Sequence, residues 1–399
     1  MTAGVRTRRR ARALAVAVTC LVIAACGGES DTPAPVLTLD PGNYPTTPRD
    51  MEAERTPATG SRQESIRLAE HVVLMMDLNP RLVFGSRNIT TRHLTAQHPT
   101  VSGLFESVAD YNARIPGLVA GWRTAGSRRE QTNLGLDATL TVLRFTTPEQ
   151  AENAKNVLAE LNNEKFPPKE PLTLSGHPSS RAYRTAYDSV QAWTTHGEYL
   201  LQTYVSDGLA LPPDPAPLLE FTRSVVDEQI RRLDSYDPTP PDRLDEVPAD
   251  IDGLLGRTLP YPEPGNYNDP TAVYPARVFL HVDSRPDLTA RAFEDAGVDL
   301  VARADSLIYR AADTAAAERL VGALVEQHTD MSPTDAPEGS PPGTRCVQEP
   351  AGTPESPRPI RTTQCYLTHD RYVAAVAATQ PQDLTQRIAA QYLLLAAED

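Results

Sequence analysis

Lysine is nearly missing from this chain. It stands only at positions 155, 165 and 169, and arginine carries almost all the positive charge. Aromatics make up 6% of the residues, and only two are Trp, so any core must be built mainly from aliphatic side chains. Cysteine occurs at positions 20, 26, 346 and 365. No two of these have the short spacing of zinc ligands. There is no His-Glu-x-x-His helix, no Gly-x-Ser-x-Gly elbow, no Ser-x-x-Lys and no Gly-rich loop leading into a helix. Those absences count against zincins, common serine hydrolases and nucleotide binders, and no cofactor motif stands in their place. Excess positive charge is lacking too. The formal net charge is −14, which argues against nucleic acid, whose phosphates need a basic face.

What the chain does have begins at its N-terminus. Arg6, Arg8, Arg9, Arg10 and Arg12 precede an apolar run from Ala13 to Ala25. The run is shorter than the ~20 residues of a spanning helix. A cationic start, a short apolar core and small residues at its end predict a secretory signal over 1–25. Ile23-Ala24-Ala25-Cys26 matches the lipobox of bacterial lipoproteins. That match implies that Cys26 is acylated, palmitate being one such chain, and becomes the new N-terminus. Several chains on one residue bind membranes firmly, at about 0.8 kcal/mol per buried CH₂. The alternative is a secreted protein cut near Ala25, with Cys26 a bystander. Loss of the five signal arginines takes the charge to about −19, so anchoring falls to lipid rather than to basic contacts with headgroups.

Pro is abundant, at 37 residues, and clusters between ordered stretches. Residues 26–40 read as a flexible tether and 237–260 as a linker, dividing the chain into repeat domains at 41–236 and 261–399. The term repeat rests on landmarks that recur in order. Pro41-Gly42-Asn43-Tyr44 is echoed by Pro264-Gly265-Asn266-Tyr267. Val72 to Leu82 is echoed by Val278 to Leu288. Gly135-Leu136-Asp137 running to Arg144 is echoed by Gly297-Val298-Asp299 running to Arg310. Thr195-His196-Gly197-Glu198-Tyr199 is echoed by Thr368-His369-Asp370-Arg371-Tyr372. Residues 88–130 stand out as an insert in the first copy.

Each copy carries the same coarse elements. Leu140 to Phe145 predicts a strand. A helix follows, with Thr147 as N-cap, Pro148 at its first position and Gln150 closing a capping box. Ala151, Ala154, Val157, Leu158 and Leu161 give it one apolar face. The second copy repeats this with Ser306 to Tyr309, N-cap Asp313, and Ala317, Leu320, Leu324 and Val325. A strand near Arg181-Ala182-Tyr183 matches Arg345-Cys346-Val347. A hairpin turns at His196-Gly197 or His369-Asp370. A closing helix ends each copy. The expected fold is α+β: two related domains, each an antiparallel sheet with helices packed on one face, similar to a ferredoxin-like order. With Cys20 removed and Cys26 acylated, Cys346 and Cys365 remain to pair. The repeat sets them on Ala182 and Ala192, so the disulfide is expected between neighbouring strands, at the base of the Pro-rich loop near 348–360.

Lipobox, Gly42-Asn43-Tyr44 turn, Ala69-Glu70-His71-Val72-Val73 and Gly297-Val298-Asp299 leading to Tyr309-Arg310-Ala311 together resemble an actinobacterial family of two-domain lipoproteins of unassigned function, DUF7373. The resemblance covers most of the mature chain. It implies attachment to the outer face of the cytoplasmic membrane and brings no catalytic residues.

Candidate site residues are few. Arg144 and Arg310 each end a strand just before an N-cap, where an anionic ligand could sit, or an ion pair could join strand to helix. His196 and His369 recur as a paired feature, read either as binding residues or as turn residues with an unusual backbone angle. His93 and His98 have no metal spacing and read as an exposed loop. Asp77 and Asp283 read as turn caps, and Asn88-Ile89-Thr90 is a sequon of little meaning in a bacterial lipoprotein. The leading expectation is a non-enzymatic envelope lipoprotein that binds a small molecule, a lipid or a partner protein between its domains. The alternatives are an envelope lipid or glycan hydrolase or transferase without a recognisable motif, and a structural or assembly factor using the Pro-rich loop at 329–360.

Overall fold

A computed structural model describes residues 39–85, 92–99, 103–131, 134–262, 271–353, 356–357 and 360–397, and all structural statements concern these. The signal, Cys26, most of the tether, the sequon and the Pro264–Tyr267 landmark lie outside them.

The first half runs α1 (Pro57–Glu70), α2 (Met75–Leu78), β1 (His93–Leu94), α3 (Val108–Arg114), β2 (Leu118–Ser127), β3 (Leu136–Phe145), α4 (Pro148–Lys165), β4 (Glu170–Leu172), β5 (Arg181–Arg184), β6 (Val190–His196), β7 (Tyr199–Asp207) and α5 (Pro215–Leu233). The second runs β8 (Ala272–Pro275), α6 (Ala276–Phe279), α7 (Pro286–Ala296), β9 (Leu300–Arg303), β10 (Leu307–Arg310), α8 (Thr314–Glu326), β11 (Ser332–Thr334), β12 (Arg345–Gln348), the small pair β13 (Gly352–Thr353) and β14 (Ser356–Pro357), β15 (Thr363–His369), β16 (Tyr372–Ala378) and α9 (Pro381–Ala396).

Each half builds a seven-stranded antiparallel sheet. The first has the order β1-β2-β3-β7-β6-β5-β4, and the second, read the same way, β8-β9-β10-β16-β15-β12-β11. The fold is α+β, and it is used twice. Register confirms the duplication residue by residue. Arg144 lies opposite Tyr199, and Arg310 opposite Tyr372. Ala182 lies opposite Ala192, and Cys346 opposite Cys365, with the disulfide formed between them. Closing a loop of 19 residues contributes about 3 kcal/mol by chain entropy.

Local chemistry sets the helix starts. Thr147 accepts the N–H of Gln150, whose side chain returns to the Thr147 N–H, and Pro148 follows the cap. Asp313 caps α8 through the N–H of Ala316. Helices cover both faces of each sheet, where one face was expected. The strand sequence explains why. Leu140-Thr141-Val142-Leu143-Arg144-Phe145 does not alternate apolar with polar, and all six are buried. Leu143 and Phe145 pack with Ala151, Ala154 and Leu158 of α4. Leu140 and Val142 turn the other way, into a core shared with Val225 and Val226 of α5.

That second core is common to both halves. It takes Trp122 and Leu140 from the first and Phe293, Tyr309 and Leu320 from the second. Its rings run in sequence from Trp122 to Tyr274, Phe279, Phe293 and Tyr309, with centroids 5.9–6.5 Å apart.

Several boundaries differ from expectation. Residues 88–130 are not an insert throughout, because β2 is an inner strand matched by β9. Gly297 and Gly117 both have positive φ, +59° and +85°, and each precedes that strand; Gly135 opens β3 instead, so the third landmark was misaligned by one strand. Residues 39–51 lie on the second half: Tyr44 donates to Asp383, and Met51 joins the core around α9. The stretch read as a linker is packed down, with Leu244, Leu254, Leu255 and Leu259 buried.

One close approach ties that stretch to the first half. A Cβ on Gly60 would lie 1.7 Å from the Leu244 carbonyl oxygen. Gly60→Ala is therefore expected to cost about 1–3 kcal/mol or more by forcing α1 away from it. Gly322→Ala in α8, whose nearest atom is 3.8 Å away, should gain up to about 1 kcal/mol. Thermal melting of both variants checks this, and an unchanged Gly60→Ala melt would contradict the packing.

Candidate functional site: a cleft between the halves

The halves meet at a cleft of about 300 Å³, lined by Phe84, Gly85 and Glu130 from the first and Asp283, Ser284, Arg285, Tyr309, His328, Asp330 and Tyr366 from the second. Backbone contact shapes its mouth. Phe84 exchanges backbone hydrogen bonds with Ser127, and the Gly85 N–H donates to the Ser284 carbonyl at 2.9 Å. A Cβ on Gly85 would lie 2.0 Å from the Asp283 carbonyl oxygen, so only glycine lets the chains meet here. The Arg285 guanidinium sits 4.9 Å from the Phe84 ring centre and makes paired 2.9 Å bonds to Asp287.

Inside, Asp283 accepts the Arg285 N–H and the Thr289 hydroxyl, both at 2.8 Å. Burial pushes its carboxyl above the ordinary range, and these two donors partly offset the rise. Burial raises Tyr309 and Tyr366 and lowers His328. The Tyr366 oxygen accepts from the Gln364 amide at 2.7 Å and lies 2.6 Å from His328 Nε2. A neutral imidazole carries one ring proton, so Nε2 either accepts the tyrosine O–H or donates to its oxygen.

A serine, a histidine and an acid share this cleft without forming a relay. His328 Nε2 is engaged by Tyr366, and both Asp283 oxygens are engaged by its own turn. The arrangement offers fixed acceptors and hydroxyls, which suits binding of a polar ligand. No group of three or more His, Cys, Asp or Glu among the described residues could hold a metal ion.

The residues singled out from sequence lie elsewhere and have internal partners. Arg144 is enclosed by Glu64 at 2.9 Å, Glu198 at 2.6 Å and the Thr239 carbonyl at 2.8 Å. Glu64 is fully buried and also accepts from Tyr236 and Arg67. Arg310 pairs with both oxygens of Asp299 and with Asp252. Both guanidiniums tie a strand end to neighbouring segments. His196 lies 2.9 Å from Asp234 at the end of α5, and the His369 ring packs on Tyr392 of α9. The left-handed residue of each hairpin is the next one, Gly197 or Asp370. Asp77 is not a turn cap, since it bonds Arg232 and Arg277; Asp283 is one.

His93 is no exposed loop residue. Its Nδ1 lies 2.6 Å from the Ser65 hydroxyl and its Nε2 2.9 Å from the Tyr274 hydroxyl. All three are buried, so no substrate reaches them. The row crosses between the halves, joining residues 28 and 181 positions apart, and no local sequence pattern marks it.

Fold and cleft define a two-lobed α+β protein with a polar site between its lobes. The chain belongs to the DUF7373 family. Residues 51–249 match the N-terminal domain of that family, described as a domain of unknown function, and residues 254–398 match its C-terminal domain. Among curated proteins and solved structures, none matches.

The buried histidines give the fold a pH dependence. Burial lowers His93 to about 3, and lowers His281 well below its ordinary value of 6.5. As pH falls below about 6.5 the unfolded chain takes up these protons first, so stability is full above that value and is lost on the way to about 3. Asp283 works in the opposite sense, its share being lost as pH rises. Thermal melts from about pH 7 to about pH 4 should show a steep fall, and His93→Gln should flatten it by about 1.4 kcal/mol per pH unit. Equal slopes in the two proteins would contradict the assignment.

Proposed function

We propose that this is a lipid-anchored envelope protein. It is held through Cys26 at the outer face of the cytoplasmic membrane, and it binds a small polar ligand or partner segment in the interlobe cleft without chemical turnover. The cleft carries the reading: both halves contribute to its wall, and Asp283, His328 and Tyr366 are held in position by hydrogen bonds. Support for the location is the arginine-rich start, the short apolar run and the Ile23-Ala24-Ala25-Cys26 box. No helix among the described residues is long and apolar enough to cross a membrane.

A second reading, hydrolysis of an envelope lipid or glycan, draws on Ser284, His328 and Asp283 lining one cleft. The hydrogen bonds of His328 and Asp283 lead away from a Ser284-centred relay, which favours binding.

Native mass spectrometry of the chain purified from its own host tests the proposal. A discrete added mass is expected. Ser284 is exposed at the cleft, so Ser284→Trp should fill the space and remove that mass without altering the melt. A chain with no added mass, or one that keeps it in Ser284→Trp, would overturn binding at this site. Covalent labelling of Ser284 by a fluorophosphonate would overturn the non-enzymatic reading.

A further inference from the structure

The repeat carries a second cavity, and its chemistry is different. On the α4 face of the first sheet, Leu143, Phe145, Trp193 and Leu200 lie in the core beneath the helix. α4 stops at Lys165, but the sheet continues. Two rows of side chains then cross the strands in register. One is Arg123, Thr141 and Gln202; the other is Thr139, Tyr204, Gln191 and Tyr183. The period of two along each strand puts these on the same face as the core residues below them.

This polar floor is walled by the last turn of α4, with Asn162 and Phe166, and on the far side by Leu104 and Tyr111. The space is about 330 Å³. A second space of about 270 Å³ runs on past Asn163, Tyr183 and Tyr187. The two share Asn162, Phe166, Gln191 and Tyr204, so they form one groove.

The groove and the interlobe cleft occupy the same place in the repeat. Counted from the N-caps Thr147 and Asp313, Leu158 falls on Leu324 and Asn162 on His328. Counted from Arg144 and Arg310, Leu143 falls on Tyr309. The first of each pair lines the groove and the second lines the cleft. The gap lies beside the C-terminal end of this helix in both copies. The first half closes it over in the second copy, through Phe84 and Gly85.

The lining restricts what fits. Among the described residues, Arg123 is the one charged side chain lining the two spaces, so a ligand carrying several charges would be desolvated with too few partners. Asn162 Nδ2 donates to Gln191 Oε1 at 3.2 Å, and an aliphatic ligand would cover the Asn162 oxygen, the Gln191 nitrogen and the Gln202 amide without pairing them, at about 1–3 kcal/mol each. Amides both donate and accept, as sugar hydroxyls do. Phe166 and Tyr187 are 50% and 83% exposed, with Lys165 Nζ 5.6 Å from the Phe166 ring centre, and rings this open can pack against the C–H face of a pyranose. Two connected spaces accommodate more than one ring.

We propose that this groove binds a neutral oligosaccharide, independently of the interlobe cleft. Saturation-transfer NMR on the purified full chain, in a detergent without a sugar headgroup, tests it. The probes are trisaccharides of glucose, mannose, galactose and N-acetylglucosamine, with hexanoate and an uncharged tetrapeptide alongside. At least one trisaccharide should receive saturation. Phe166→Ala and Tyr187→Ala should each weaken it by about five-fold or more, and Asn162→Ala likewise, with melts unchanged at the two exposed positions. Ser284→Trp should leave it intact. Saturation of no trisaccharide, equal affinity in all three variants, or binding of hexanoate or the peptide instead would overturn the proposal.

Discussion

Neither half of this protein closes its own core. The inner face of the first sheet is completed by rings from the second half, and the polar row Ser65–His93–Tyr274 finds its last partner only across that boundary. A buried imidazole or hydroxyl left without a partner costs about 1–3 kcal/mol, so the two lobes have reason to stay docked. The buried Glu64–Arg144 pair acts within the first half. It binds the α1 helix, the β3 strand end and the chain leaving the first half at Tyr236 and Thr239 into one knot. Removing one partner from such a pair is expected to leave an uncompensated buried charge.

This docking gives the cleft its form. A space at the C-terminal end of the covering helix is a property of the repeat, but only the second copy has a lid made by the other lobe. There the lining became titratable, with Asp283, Tyr309, His328 and Tyr366 held by mutual bonds or burial. The first copy stayed open, with one arginine, amides and exposed rings. One fold used twice thus offers two chemically unlike surfaces.

Much of this was legible in the sequence. The capping box at Thr147 and the cap at Asp313 placed two helices, because cap chemistry is local. The alignment of Cys346 with Ala182 and of Cys365 with Ala192 placed a disulfide, because strand pairing preserves register through a duplication. Helices on both faces were missed, although Leu140 to Phe145 lacks the alternation that a one-sided sheet requires. The row through His93 was not legible, since its partners come from distant segments and its burial is a tertiary fact. Arg144 and Arg310 recur because each copy needs a strand end fastened. Repetition alone does not distinguish that need from ligand binding. The packed stretch at 237–260 was misread because Pro-rich composition resembles a spacer, while its leucines are what the neighbouring cores use.

The claim on which all of this rests is that the two lobes unfold as one. Both Trp, at positions 122 and 193, report on the first lobe, and amide hydrogen exchange along β10, β15 and β16 reports on the second. Followed together through a denaturant titration, the two probes should give one midpoint. Separate midpoints, with one lobe persisting after the other has melted, would contradict a shared core.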